Sequence, residues 1–282
     1  MIIVEGKKIR DIILNKLKED IKNLSFQPVF CDILVGEDSV SLQYVNMKMR
    51  MAESIGIKFH KAFFKEDISN DEILNEIKKI NNIENICGII AQIPLPKHLD
   101  KNAILNAINP ELDVDCLGFV NSQKFYNGSG ILSFPTARAC IEILDSLGVD
   151  LKDKKIVVLG QGDLVGKPVT SLLRFRNLNV ETIDSETENK EVILKNADVI
   201  VSGIGQGKYI KGDMVKKDVI LIDAGTFESN EGIVGDVDLD SVKNIASYIS
   251  PVPGGVGPVT VAMLLSNVVD VAKLKDKINK NE

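Results

Sequence analysis

Hydrophobic positions along the chain change period again and again. Residues 28–35 (PVFCDILV) read as a strand, and residues 40–55 then place Val40, Tyr44, Met47, Met51 and Ile55 at the three- and four-residue spacings of a helix. The pattern goes on to a strand over 57–64, a helix over 69–80 and a strand over 87–93. Ser69 followed three residues on by Glu72 forms a capping box at the head of that helix. Turn signals then gather at Asn109-Pro110, at Asn127-Gly128-Ser129-Gly130 and at Pro135. Beyond them the pattern predicts helix 137–147, strand 155–159, helix 164–177, strand 179–183, helix 189–196, strands 198–202 and 218–222, a short strand near 246–249, and a closing helix over 258–278. Strands 155–159 and 218–222 are nearly continuous apolar runs, as in strands covered on both faces. Alternating strands and helices require crossover connections, so an α/β protein with a mainly parallel sheet is expected.

Composition narrows the class. The 282 residues suffice for roughly two domains of about 150 residues each. Hydrophobic residues at 44% and charged residues at 26% are ordinary for a globular chain. The 34 basic and 40 acidic residues leave a net charge of −6, with lysines interleaved among acids, which argues against a nucleic-acid partner. Cys31, Cys87, Cys116 and Cys140 form no C-x-x-C pair, so no metal site is expected. Three of the four lie beside apolar runs and read as small buried hydrophobes in a reducing compartment. The opening Met-Ile-Ile-Val-Glu-Gly has no signal-peptide pattern. The apolar stretch Val259–Val269 is too short to span a bilayer. A soluble, cytoplasmic protein without a membrane partner is expected, with a frayed Lys-rich tail over 273–282.

The strongest local chemistry lies at Lys154–Gly166 (KKIVVLGQGDLVG), where an apolar strand runs into Gly160, Gly162 and Gly166 and then into a helix. Glycines let the backbone turn tightly and approach a pyrophosphate, which sits on the positive end of the helix. Asp184 ends the next strand, where a carboxylate can accept hydrogen bonds from a ribose. Strand, glycine loop, helix, strand and acid together point to a dinucleotide site. A second glycine-rich loop, Pro251–Pro258 (PVPGGVGP), is stiffer than a plain connection needs and reads as a binding loop.

Pro251–Thr260 (PVPGGVGPVT) resembles the C-terminal signature of the bifunctional methylenetetrahydrofolate dehydrogenase/methenyltetrahydrofolate cyclohydrolase family. The resemblance covers nearly the whole chain. It includes Ser41, Tyr44 and Lys48 on one helix, Gly88–Pro96 with Gln92, Asp113-Val114-Asp115, and Gly235-Asp236-Val237. It implies two α/β lobes with a cleft between them: a folate-binding catalytic domain over 1–118 joined by the helix 258–282, and a Rossmann-like dinucleotide-binding domain over 119–257. It implies oxidation of 5,10-methylenetetrahydrofolate to the methenyl cation with NAD(P)+, then hydrolysis to 10-formyltetrahydrofolate, within one-carbon metabolism and purine biosynthesis. A homodimer is implied too. Lys48 would be the catalytic group, Gln92 would orient it, and Tyr44 would stack on the folate. Asp115 would accept hydrogen bonds from the pterin edge, and Pro253, Gly254 and Gly255 would line the substrate. On this resemblance the cofactor residues are Gly160, Gln161, Gly162, Gly166, Asp184, Ser185 and Thr226. Taken alone, Tyr44 would read as packing and Lys48 as a solvated charge. As an i, i+4 pair they share one helix face.

The chain also departs from the family pattern. Gly160-Gln161-Gly162 stands where the family usually has Gly-Arg-Ser, and Asp184-Ser185 where it often has His-Ser. Phe134–Ala139 replaces a Pro-Cys-Thr-Pro segment, and Cys116 replaces the glycine of Asp-Val-Asp-Gly. Neutral Gln161 and acidic Asp184 favour NAD over the family's usual NADP, with Lys190 and Arg174 as the cations that could reverse this. A dehydrogenase without cyclohydrolase activity, and a folate- or nucleotide-binding regulator without turnover, are the competing expectations.

Overall fold

The computed structural model describes residues 1–230 and 232–280. In chain order the elements are β1 (Ile2–Ile3), α1 (Gly6–Lys22), β2 (Val29–Val35), α2 (Ser39–Ser54), β3 (Lys58–Phe64), α3 (Asn70–Ile80), β4 (Ile86–Ala91), α4 (Lys101–Ala107), α5 (Phe119–Tyr126) and α6 (Pro135–Ser146). They continue with β5 (Ile156–Leu159), α7 (Gly166–Phe175), β6 (Val180–Ile183), α8 (Lys190–Lys195), β7 (Val199–Ser202) and β8 (Ile220–Asp223). A hairpin of β9 (Phe227–Ser229) and β10 (Gly232–Val234) follows, then α9 (Leu239–Val242), β11 (Tyr248–Ser250) and α10 (Val256–Asn279). The elements expected from the hydrophobic pattern are all present. α5 falls inside the 109–136 segment that reads as turns, and β1 and α1 precede the first strand read from the pattern.

The chain divides into two compact units. The first, Met1–Asp11 with Thr136–Met263, is built on six parallel strands in the order β1-β11-β8-β7-β5-β6. From β5 the chain moves outward to β6, then returns past β5 to β7. That reversal creates a switch point at the carboxyl ends of β5 and β7, where sheets of this type bind ligands. Strands β5, β7 and β8 are buried at every position, because helices cover both faces. Val157, Leu159, Ile183, Leu194, Ile200, Leu221 and Ile249 belong to the core.

These boundaries differ from 1–118 and 119–257. Ile2 and Ile3 pair with Tyr248 and Ile249, and the Gly6 N–H donates to the Gly254 carbonyl at 3.0 Å, so the first residues join the six-stranded unit. Residues 119–126 stay with the other unit, where the Phe119 N–H donates to Asn106 Oδ1 at 2.7 Å and Asn121 Nδ2 donates to the Pro110 carbonyl at 2.6 Å. The first turns of α10, to Met263, also lie in the six-stranded unit.

The second unit, from Ile12 to Pro135 and from Leu264 on, holds three parallel strands in the order β3-β2-β4. Central β2 and its neighbour β4 are wholly buried. Asp38 caps α2 by accepting the Ser41 N–H at 2.7 Å, and the expected capping box of Ser69 and Glu72 opens α3. The 112–114 segment runs beside β4: the Ile89 N–H donates to the Leu112 carbonyl at 2.7 Å, and Ile89 bridges to Asp113. Buried Asn267 of α10 donates to the carbonyls of Val114 and Ser133, each at 2.7 Å, and fixes this segment from the other side.

The stretch Val259–Val269 does not stand alone as a short apolar run. It lies within the 24-residue α10, which has an 18-residue window with a mean hydropathy of 1.3 and is long and apolar enough to cross a membrane by length and composition. In this chain 72% of that window is buried inside the protein. The helix continues to Asn279 rather than fraying from residue 273, and residues 281–282 lie outside the described residues.

Candidate functional site

Four elements of the three-stranded unit deliver polar groups to one point. Lys48 projects from the third turn of α2 and is almost fully buried. Its Nζ donates to Gln92 Oε1 at 2.8 Å and lies 2.6 Å from Asp32 Oδ2. Gln92 directly follows the carboxyl end of β4. Its backbone N–H donates to the Ile33 carbonyl at 2.8 Å, and its side-chain Nε2 donates to the Ile93 carbonyl at 3.0 Å, so Oε1 is turned toward the lysine.

Asp32 is the residue that motif reading missed. It sits in the middle of β2 with no solvent exposure, and its Oδ1 has no hydrogen-bond partner. Burial raises its carboxyl pKa, partly offset by Lys48. The available signal was one acid within the otherwise apolar run Val29–Val35.

Asp115 completes the group. Burial pushes its carboxyl up to about 7, Lys48 pulls it down, and Asp113 and Asp32 push it up again. Asp113 instead shapes the loop. Its Oδ2 accepts the Gly118 N–H at 2.8 Å, while burial holds its carboxyl at about 6. Cys116 in that loop has φ +60°, the left-handed region that favours glycine. The departure from glycine is therefore accommodated with the backbone turn kept, at a strain on the order of 1 kcal/mol. Phe134, from the other altered segment, packs edge-on against Phe125 at 4.9 Å between ring centroids. One turn before Lys48, Tyr44 leaves 39% of its surface exposed. Its ring is thus available to a flat ligand beside the lysine.

The expected dinucleotide residues follow the carboxyl ends of β5, β6 and β8 in the six-stranded unit. Gly160, with φ +92°, ends β5. A Cβ at Gly166 would overlap the Gly160 carbonyl, so the loop closes tightly only with glycine there. Open space surrounds Gly162. The N-cap of α7, Val165, makes no side-chain capping bond; with the Lys167 N–H donating to the Gly162 carbonyl at 3.2 Å and Pro168 lacking an N–H, the Gly166 N–H is the first-turn donor left for an anion. These features fit a dinucleotide pyrophosphate. Ser185 and Thr226 are exposed just after β6 and β8.

Two side chains are engaged locally. Gln161 Nε2 donates to its neighbour's carbonyl, Gly160, at 2.9 Å and approaches Thr170 Oγ1 at 3.3 Å. Asp184 Oδ1 accepts the N–H groups of Glu186 and Thr187, each at 3.0 Å, and the Thr187 hydroxyl at 2.8 Å, which lowers its carboxyl pKa. Lys190 Nζ donates to the Ser185 carbonyl at 2.9 Å, close to that acid. Arg174 lies in the last turn of α7, at the opposite end from the glycine loop.

The same edge is braced by a buried acid pair. Asp236 accepts the Ser202 hydroxyl at 2.7 Å and the N–H groups of Ile204 and Gln206, each at 2.8 Å. Asp223 accepts the N–H groups of Asp236 at 3.0 Å and Val237 at 2.9 Å. Burial pushes the Asp223 carboxyl up to about 7. Gly254, with φ +105°, and Gly255 form the loop after β11, pressed onto Gly6, with Pro253 exposed on it. Gly6 is a further residue that motif reading passed over. The four cysteines are buried thiols; burial pushes Cys87 up to about 11 and Cys140 to about 12.

Residues 4–115 match the catalytic domain of tetrahydrofolate dehydrogenase/cyclohydrolase, and residues 135–276 match its NAD(P)-binding domain. A protein of Halothermothrix orenii named bifunctional protein FolD is 40% identical over 276 residues, covering 96% of this chain and 98% of its own. The solved bifunctional FolD, methylenetetrahydrofolate dehydrogenase/cyclohydrolase, of Campylobacter jejuni is 34% identical with a TM-score of 0.92, over 97% of this chain and 99% of that one. The Trypanosoma brucei FolD solved with NADP cofactor and inhibitor is 32% identical with a TM-score of 0.91, over 97% and 98%.

Proposed function

Since the chain belongs to the tetrahydrofolate dehydrogenase/cyclohydrolase family, we propose how its own residues divide the work of the two reactions. It is an α/β enzyme of two domains, a methylenetetrahydrofolate dehydrogenase using NAD(P)+ and a methenyltetrahydrofolate cyclohydrolase. The single observation that carries the division of roles is the buried Lys48 amine held by Gln92 beside the exposed ring of Tyr44.

The three-stranded unit binds the folate. Tyr44 stacks on its ring system, and Asp115, with a carboxyl near neutrality, takes the donor-rich pterin edge. Gly160, Gly162 and Gly166 hold the dinucleotide pyrophosphate on the head of α7, with Gln161, Asp184, Ser185 and Thr226 around the loop. A dinucleotide held there would supply the acceptor for the hydride that the methylene carbon loses. Water then attacks the methenyl carbon, and Lys48 takes the proton released. Gln92 keeps Nζ pointed at that carbon, since its own rotation is fixed by the Ile93 carbonyl. Pro253, Gly254 and Gly255, in the loop after β11, are proposed as further substrate-binding residues.

For the cofactor we propose a preference for NAD. Gln161 is neutral and turned onto its own loop, while Asp184 presents a carboxylate at the end of β6. A 2′-phosphate there would meet repulsion on the order of 1–3 kcal/mol after screening. Arg174 is at the wrong end of α7 to relieve it; Lys190 is the remaining cation.

We further propose a cytoplasmic homodimer serving purine biosynthesis. Four buried thiols support the reducing compartment; light scattering tests the dimer. The division of roles itself is tested by giving purified protein methylenetetrahydrofolate with each dinucleotide, then following reduced cofactor and 10-formyltetrahydrofolate separately. Binding without turnover would favour the regulator.

A further inference from the structure

Asp32 has no place in the roles assigned above, yet it is the most costly residue in its strand. A central strand position with no exposure is filled most cheaply by an aliphatic side chain, since burying a carboxylate forfeits its hydration. Here the acid is aimed at one group. Oδ2 lies 2.6 Å from Lys48 Nζ as an ion pair, and neither carboxyl oxygen makes an aligned hydrogen bond that would justify the burial. A packing role would leave no reason for a charge, and the lysine is the one charged group the carboxyl pairs with.

We propose that Asp32 is the proton-exchange and positioning partner of Lys48 in the hydrolytic step. The inference rests on Lys48 being the group that takes the proton of water. The Lys48 ammonium passes a proton to Asp32 Oδ2, which turns a buried ion pair into two neutral groups. The neutral amine removes a proton from water as its oxygen bonds to the methenyl carbon. The bond from that carbon to the ring nitrogen N5 then breaks. Lys48 supplies the proton that N5 gains and takes the hydroxyl proton as the formyl carbonyl forms. One proton is left over, matching the loss of the substrate's positive charge. It leaves to solvent when Asp32 returns its own to the lysine.

The surroundings suit the exchange. Burial raises the carboxyl pKa of Asp32, which makes it a better acceptor than a surface aspartate. The other titratable group facing this point is Asp115, from the segment after α4; Asp113 beside it is turned onto the Gly118 N–H, and Cys31, next to Asp32 on β2, is on the opposite face of the sheet. Asp113 and Asp32 both raise the Asp115 carboxyl while Lys48 lowers it, and the Cys31 thiol is pushed up by burial and by Asp32. Gln92 adds an uncharged acceptor that holds Nζ in place without competing for the proton.

The test is the pH profile of methenyl hydrolysis in Asp32→Asn, with hydride transfer measured on the same preparation. The expected result is at least a tenfold fall in hydrolysis kcat relative to hydride-transfer kcat, with the hydrolysis profile displaced at least one unit toward alkaline pH. A merely structural role would lower the rate without moving the profile. An unmoved profile, or an unchanged ratio, would overturn the inference. Asp32→Thr, smaller and equally unable to exchange a proton, serves if the asparagine variant fails to fold. In unaltered protein, 13C-aspartate NMR should place the Asp32 carboxyl titration well above the ordinary carboxylate range; titration within that range would also overturn it. Loss of both activities in unaltered protein would instead strike the functional assignment itself.

Discussion

Lys48 Nζ donates to Gln92 Oε1 across 2.8 Å, joining the third turn of α2 to the carboxyl end of β4. The two residues are 44 positions apart. Their meeting turns a helix-face lysine into a buried, aimed amine.

Lys48→Met should abolish methenyl hydrolysis while leaving a folded protein, because methionine keeps the length of the side chain without its proton chemistry. Gln92→Ala should reduce the same step by about 10- to 100-fold, since it orients the amine rather than exchanging the proton. Circular dichroism and hydrolysis assays on both variants check the order of severity.

Asp115 should make stability depend on pH. Its folded pKa of about 7 is raised above the ordinary aspartate value of 3.8, so its contribution is fully present below about pH 4 and is lost as pH rises through 7. Between pH 5 and 8, Asp115→Asn should show a shallower loss of unfolding free energy by about 1–3 kcal/mol. Urea unfolding at both pH values measures the difference; parallel curves would contradict the shift.

Asp236→Ala should destabilise the six-stranded unit by about 3 kcal/mol, because the Ser202 hydroxyl and the N–H groups of Ile204 and Gln206 lose their shared acceptor in a buried site. Weaker dinucleotide binding should accompany the lower thermal midpoint, since the loop after β7 borders the switch point. Calorimetry and cofactor titration read the two effects separately.

Gln161→Arg with Asp184→Ser should move the ratio of kcat/KM for NADP over NAD upward by about ten- to a hundredfold, from removal of one carboxylate and addition of one cation near the ribose. A starting preference for NADP in the unaltered protein would show that Lys190 outweighs Asp184.

Much of this arrangement was readable from the residues because it depends on local signals. The capping box at Ser69 and Glu72, the apolar strand entering Gly160, and the i, i+4 pair of Tyr44 and Lys48 each specify their own geometry. Features set by distant partners were not readable. Asp32 looked like one acid in a strand, and only the fold of α2 over β2 shows what it faces. Ile2 and Ile3 carry no mark of pairing with a strand some 245 residues later. α5 was hidden by turn signals on either side of Phe119–Tyr126. Gln161 and Asp184 were legible as residue types at the right place, but their side-chain bonds to the loop and turn depend on rotamers that sequence does not display.

The roles given to Lys48 and its neighbours are tested most directly by a progress curve with Lys48→Met, methylenetetrahydrofolate and NAD(P)+. Reduced cofactor should form while the 5,10-methenyl product accumulates instead of passing on to 10-formyltetrahydrofolate. Conversion to 10-formyltetrahydrofolate at the rate of the unaltered protein would contradict the assignment of Lys48 to the hydrolytic step.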